Sequence, residues 1–297
     1  MDSEDTKKII MLSKPQLLQD GEIAPHGSDN ISNYFRIGEK WFLRIWNTPK
    51  AQTPTRAIKI PLDLQTYAED NLIVFPQIRP LFAENKNFGI FSELVVGVHP
   101  THPKQMSQNP WAHHFLSSAI ALLDTLHTLR FKNQPIHFSN RDPTDLFERH
   151  QSQLKKYFPR RILLRSMEIR ASLESTQGIF NKYTLAALHT DFWNQNLFCH
   201  HQSGRLIGVI DYGDWPLGDQ TWDLALLFKA MPQTLRSIGE ELYCEQKDLT
   251  QPEHKALLRR RITAWQEFEL IYNFLRTIQY HPQEKAFAYE ALVNRLS

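Results

Sequence analysis

Residues 188–226 read L-HTDFWNQN-LFCHHQSGRLIGVI-DYGDWPLGD-QTWD-LAL, and this stretch decides the fold. It sets His189, Asp191 and Asn196 in the spacing HxDxxxxN. Asp211 comes fifteen residues after Asn196, behind an apolar strand, and Gly218-Asp219 and Asp223 follow. Phosphoryl transfer needs such a set. A carboxylate must orient a hydroxyl nucleophile and take its proton, and Mg²⁺ on the phosphates needs hard oxygen ligands from a second carboxylate and an amide. Asp191 on a loop, Asn196 five residues later and Asp211 on the neighbouring hairpin can converge on one point. With 13 His, 15 Asp and 14 Asn in 297 residues, chance matches to HxDxxxxN number ~0.03 per chain before the downstream Asp is required. Loop carboxylates with an N-cap Asn are therefore the weaker reading.

Upstream, residues 26–30 are turn chemistry, residues 33–37 a short strand, 38–40 the next turn, and 41–46 (WFLRIW) a second strand rich in aromatic and branched residues. Residues 56–70 carry a helical pattern, broken afterwards by Pro76 and Pro80. Residues 89–96 read as a further strand, closed by Gly97, Pro100 and Pro103. That cluster marks a boundary between a first lobe, residues 1–97, and a second, 98–297. Beyond it, residues 112–130 place Phe115, Ile120, Leu123 and Leu126 near one helical face. Residues 144–174 are polar and basic with a helix inside, and residues 197–210 form a hairpin turning at Ser203-Gly204. Helices follow from Asp223, with 259–280 and 284–296 the clearest. The chain is α+β, with a small β-rich N-lobe and a larger, mainly helical C-lobe.

Hydrophobic residues at 41% and charged residues at 22% exclude general disorder. The 34 Lys and Arg exceed the 32 Asp and Glu by only two, which argues against nucleic-acid and polybasic membrane partners. No apolar run approaches the roughly 18–20 residues that span a bilayer. The opening MDSEDTKK lacks the basic flank and apolar stretch of a signal peptide. Cys199 and Cys244 cannot make a disulfide framework. A cytoplasmic, reduced protein is expected. Cys199-His200-His201 and His113-His114 do not read as zinc sites, because strand neighbours point to opposite faces and CxxC and HExxH spacings are lacking. Arg259-Arg260-Arg261 reads as a solvated helix face.

The segment resembles the aminoglycoside phosphotransferase and choline kinase group of kinase-like enzymes. Their catalytic loop reads HGDxxxxN, and a strand ending in IDW or IDF and a GDPxxDLA stretch follow it. Here the counterparts are HTDFWNQN, VIDYGD and GDQTWDLA. Thr190 replaces the usual Gly and Gln220 the usual Pro, and neither change removes a group that does chemistry. The resemblance implies a protein-kinase-like, two-lobed fold that moves the γ-phosphate of ATP to a hydroxyl of a small molecule, such as an antibiotic, sugar or amino alcohol. It makes Asp191 the catalytic base and Asn196 and Asp211 the Mg²⁺ ligands. His189 would hold the loop, and Asp219 and Asp223 the following turn and helix.

In the first lobe the resemblance implies a phosphate-covering loop at residues 27–30, where backbone N–H groups of Ser28, Asp29 and Asn30 would meet phosphate. Strand alternation puts Phe42 and Arg44 on one face, so Arg44 takes the place usually held by Lys and grips phosphate oxygens. The partner glutamate does not stand out, and Asp63 and Glu69 are both open. SELVVG at 92–97 matches the connecting strand, whose backbone at Glu93 and Val95 would bind the adenine edge. Asp214, Trp215 and Trp193 are acceptor candidates, although core packing is the commoner fate of such tryptophans.

Two rivals differ in class. A protein Ser/Thr kinase of the same fold would carry a longer activation segment than the dozen or so residues between Asp211 and Asp223. A non-catalytic nucleotide-binding module fits Arg44 and the missing glutamate, but not the joint retention of Asp191, Asn196 and Asp211. The excess of Lys and Arg over residues 141–182 disfavours a polycationic aminoglycoside as acceptor.

Overall fold

The fold is seen in a computed structural model that describes residues 3–28, 32–51, 62–83, 86–100, 109–129, 152, 154–175, 186–212, 217–280, 283 and 285–296. The chain divides into two units, Met1–Val98 with Ile207–Ile210, and His99–Leu206 with Asp211–Ser297.

In the first unit α1 (Ser3–Ser13) and a 3-10 turn (Pro15–Asp20) lead into β1 (Ile23–Ser28), β2 (Ser32–Ile37) and β3 (Trp41–Ala51). Then come α2 (Leu62–Asp70), β4 (Arg79–Ala83) and β5 (Lys86–Glu93). The strands make one antiparallel sheet in the order β1-β2-β3-β5-β4. Alternation along the strands gives it two faces. One buries Phe35, Ile37, Leu43, Ile45, Leu81 and Phe91 against Ile9 and Ile10 of α1. The other carries Tyr34, Phe42 and Arg44: Phe42 stacks on Tyr34 at 5.7 Å, and the Arg44 guanidinium lies 5.5 Å from the Tyr34 ring and 4.9 Å from that of Trp46.

Two features of this unit were not read from the sequence. The polar start of the chain is a helix, whose Ile9 and Ile10 cover the sheet. Residues 26–28, read as a loop, lie on β1, where Gly27 pairs with Tyr34 and Ser28 with Asn33. A register shift between Pro25 and Gly27 accommodates the turn-forming residues there. The helical pattern does end before Pro76 and Pro80, since α2 stops at Asp70, and Pro80 lies in the edge strand β4. Ile207–Ile210 joins this unit because Val74 N–H donates to Ile207 O at 2.8 Å and Val209 N–H to Val74 O at 3.0 Å.

The second unit holds α3 (Asn109–Thr128), α4 (Arg160–Ser175), β6 (Ala186–Ala187), a 3-10 turn (Asn194–Asn196) and β7 (Leu197–Cys199). After β8 (Leu206–Val209) come β9 (Leu217–Gly218), α5 (Thr221–Phe228), α6 (Gln233–Gln246), α7 (Pro252–Tyr280) and α8 (Lys285–Leu296). Phe115, Ile120, Leu123 and Leu126 of α3 are all buried. Every residue of α5 is buried, Thr221 and Asp223 with the apolar side chains. Against it lies α7, with Trp222 stacked on Trp265 at 4.6 Å and 11°. The hairpin turn is fixed to α3: Trp111 Nε1–H donates to His201 O at 3.1 Å, and Gly204 sits at φ +77° where a Cβ would meet Trp111 O at 2.2 Å. Among the described residues no helix is long and apolar enough to cross a membrane.

Candidate active site

The pairing of β6 with β9 sets Ala186 opposite Gly218 and Ala187 opposite Leu217. The chain leaving β6 therefore runs beside the start of α5. There the fully buried Asp223 receives it: Oδ2 accepts the His189 N–H at 2.9 Å and Oδ1 the Thr190 N–H at 2.8 Å. Thr190 stands at φ +67°, a left-handed conformation that strains a β-branched residue by roughly 1–3 kcal/mol. A glycine adopts it without that cost, so the departure from the family pattern at this position keeps the loop path and adds strain.

Beyond Thr190 the loop closes on itself. Asp191 N–H donates to His189 Nδ1 at 3.3 Å, and Trp193 N–H to Asp191 O at 3.0 Å. Asn196 Nδ2 donates to Asp191 O at 2.9 Å and to its Oδ2 at 2.8 Å, which fixes the carboxylate plane. His189 is buried and packs edge-on against Phe192 at 5.5 Å. These contacts lie within five residues of one another, and the anchor of the loop comes from further away. Asp223, 32 residues from Asp191, supplies the anchor.

Asp219 is the hub of a second, wholly buried network. Its Oδ1 accepts the Thr221 N–H at 3.0 Å and the Thr221 hydroxyl at 2.7 Å. Its Oδ2 accepts Arg261 Nε–H and Trp265 Nε1–H, each at 2.6 Å. Arg261 also donates to Leu173 O, so one carboxylate ties α4, α5 and α7 together. The solvated face expected of residues 259–261 holds for Arg259 and Arg260, which are exposed, and is corrected at Arg261. Arg261 is 4% exposed because it neutralises Asp219, Arg259 binds the buried Glu240 at 2.6 Å, and Arg260 donates to Ser172 Oγ at 3.0 Å.

Asp211 is exposed and stands at φ +56° just after Ile210. The amide of Asn196 spends its Nδ2 on Asp191, which leaves Oδ1 as the oxygen that could meet a cation. One carboxylate and one amide oxygen, completed by phosphate and water, suit Mg²⁺. Among the described residues no group of three or more His, Cys, Asp and Glu stands together. Burial pushes both Cys199 and Cys244 thiols up, away from the reactive thiolate form.

Asp191 opens on a pocket of about 320 Å³, lined also by Thr190, Trp193, Trp222, Lys229, Glu269 and Tyr272. Burial pushes the Glu269 carboxyl up, and the Asp191 charge adds to this; the Lys229 charge and hydrogen bonds from Asn273 and Trp222 oppose it. Asn273 Nδ2 donates to Glu269 Oε1 at 2.9 Å. Glu269, Lys229, Tyr272 and Asn273 were not singled out from the sequence. The signal was present in α7, where Phe268, Ile271 and Leu275 mark the core stripe and Glu269, Tyr272 and Asn273 form the stripe beside it at i, i+3 and i+4.

Of the other residues read from the sequence, Trp193 shares the pocket wall with Asp191. Asp214, Trp215, Asp29 and Asn30 lie outside the described residues. In the first unit Ser28 ends β1 and is exposed, and Arg44 pairs with Tyr34 and Ile90 across the sheet. Glu93 ends β5 exposed, and Val95 is buried.

The family model of the phosphotransferase enzymes matches residues 22–266, and the chain belongs to the phosphotransferase enzyme family. It is an enzyme that transfers phosphate to an alcohol group. The fold is kinase-like. The ADP-bound aminoglycoside phosphotransferase APH(2'')-Ib is similar at TM-score 0.64 and 19% identity, covering 100% of this chain and 97% of that one. The GDP complex of aminoglycoside 2'-phosphotransferase-IIIa gives 0.71 and 12%, covering 100% and 99%. Choline kinase from Cryptosporidium parvum Iowa II gives 0.59 and 16%, covering 99% and 94%. No curated protein sequence matches the chain significantly.

Proposed function

We propose that the protein transfers the γ-phosphate of ATP to a hydroxyl group of a small molecule, with Asp191 as catalytic base. The observation that carries this is the Asp191 carboxylate, fixed by Asn196 and opening on a pocket of about 320 Å³. That volume equals about ten waters at ~30 Å³ each, the scale of a small metabolite or one to two sugar rings. The carboxylate would align the acceptor hydroxyl and take its proton, while Trp193 and Tyr272 pack against the acceptor. Among the described residues one carboxylate besides Asp191, that of Glu269, lines the pocket, and Lys229 opposes it. This pocket favours sugars and mono-amino alcohols over polycationic antibiotics. Solved relatives hold ADP and GDP, which supports a nucleoside triphosphate as donor.

Asn196 and Asp211 would hold Mg²⁺, which when bound neutralises charge on the phosphate oxygens. Asp211→Ala is expected to weaken Mg²⁺-dependent nucleotide binding together with turnover. Asn196→Ala should do so less, since an amide brings no charge. Titrating Mg²⁺ against nucleotide binding checks both; two variants with the wild-type magnesium dependence would place the metal elsewhere.

Arg44 would grip the α- and β-phosphates. Charge-assisted hydrogen bonds contribute about 1.5–3 kcal/mol, so Arg44→Ala should weaken ATP binding by one to two decades at ~1.4 kcal/mol per decade. Arg44→Lys should recover part of the loss, because it restores charge without the bidentate fork. Adenosine should bind all three proteins alike. An adenosine affinity that falls in step with that for ATP would make Arg44 a packing residue over Tyr34 and Trp46.

A further inference from the structure

We propose that Thr190 selects the acceptor: its hydroxyl binds the acceptor oxygen next to the one that receives phosphate. The acceptor is then a sugar or polyol with two neighbouring hydroxyls; this rests on the phosphotransfer reading above. Two observations meet at this residue. The first is its backbone. A φ of +67° lies in the left-handed region, which Gly adopts freely and Asn and Asp readily, but which strains a β-branched side chain. The loop has no freedom to relax there, because the Thr190 N–H is committed to Oδ1 of the buried Asp223 at 2.8 Å and the His189 N–H to Oδ2 at 2.9 Å. Residues held in such conformations cluster at active sites and ligand clamps.

The second observation is the place of the side chain. Thr190 lines the pocket of about 320 Å³ together with Asp191, its neighbour in the chain. It is half-buried, and its hydroxyl makes no hydrogen bond to any described residue. A Thr hydroxyl offers one donor and two acceptor sites, so its full capacity is open to a ligand. Consecutive Cα atoms lie ~3.8 Å apart, and with both side chains on one pocket wall the pair can hold adjoining atoms of one molecule. Asp191 aligns the reacting hydroxyl, and Thr190 hydrogen-bonds to the oxygen on the next carbon, which fixes rotation about the bond between them. No covalent bond forms or breaks at Thr190. An acceptor with a single hydroxyl makes no use of it, and a glycine here would remove the strain and this contact together.

Label transfer from ATP, run on the full chain over a mixed set of sugars, polyols and amino alcohols, identifies the best acceptor. It should carry a hydroxyl on the carbon next to the phosphorylated one; a best acceptor without that hydroxyl would overturn the proposal. The acceptor and its deoxy analogue, which lacks the neighbouring hydroxyl, are then compared across variants. In the wild type, deoxygenation should lower kcat/KM by about 3–10-fold, as expected for one neutral hydrogen bond. Thr190→Val keeps the branching and the strain and lacks only the hydroxyl. It should lose about as much on the full acceptor and nothing on the deoxy one, so that the two losses do not add. Thr190→Ser should restore the preference. Thr190→Gly should lack it while unfolding a few degrees higher as strain is released, and it serves should Thr190→Val fail to fold. Deoxygenation that costs Thr190→Val or Thr190→Gly as much as the wild type would overturn the proposal, as would a Thr190→Ser variant without the preference. If Asp191→Asn stops turnover while Thr190→Val discriminates like the wild type, the phosphotransfer reading stands and this inference falls. A wild-type protein that phosphorylates no acceptor removes both.

Discussion

Asp191→Asn is expected to lower kcat by roughly 10²–10⁴-fold, the contribution of a positioned general base. The amide keeps the shape of the carboxylate and retains an oxygen to accept from Asn196 Nδ2, which stands at 2.8 Å from Oδ2 in the wild type. The loop backbone stays in place because its anchors are Asp223 and the backbone of Asp191, not the side chain that is changed. What is lost is the carboxylate charge that the proposed base role requires. Nucleotide affinity should therefore barely change, while turnover of every acceptor falls together. Steady-state kinetics with parallel nucleotide titration check this, and full activity in a clean preparation would remove Asp191 from the role.

Asp219→Ala should destabilise the protein by about 3–5 kcal/mol, because it strands the Arg261 guanidinium in the interior without a counter-charge. Arg261 is 4% exposed and cannot reach water without disturbing α4, α5 and α7. A loss of that size is a large fraction of the ~5–15 kcal/mol of a typical domain. The double variant Asp219→Leu with Arg261→Met should lose much less than Asp219→Ala, since removing both charges leaves no unpaired ion. Urea denaturation of the two variants and the wild type gives the comparison. Equal losses in the single and double variants would show that packing, and not the ion pair, holds this corner of the fold.

The loop geometry was legible where it lies close in sequence. HxDxxxxN is a local device, and Asn196 does reach back to Asp191 across five residues, as its spacing allows. Strand alternation was likewise readable: Leu43 and Ile45 turn to the core, while Phe42 and Arg44 take the other face. What the sequence hid depends on tertiary contact. The run at residues 259–261 looks like solvent-facing charge until Asp219, some forty residues earlier, buries Arg261. His127 sits in an apolar helix with nothing local to mark it, and its Nε2 stands 3.1 Å from Asp223 Oδ2. Residues 26–28 misled in the opposite direction, because local turn chemistry yields to a sheet that tolerates a bulge. The pocket wall on α7 is an intermediate case, visible as a polar stripe but unassignable before Asp191 stands opposite it.

The most direct measurement incubates the full chain with γ-labelled ATP, Mg²⁺ and a pooled set of sugars, amino alcohols and aminoglycosides, and follows the label by mass spectrometry. The account predicts a phosphate monoester on a hydroxyl of at least one small acceptor, dependent on Mg²⁺ and lost in Asp191→Asn. Label that appears in no acceptor, or that transfers equally well in Asp191→Asn, would contradict it.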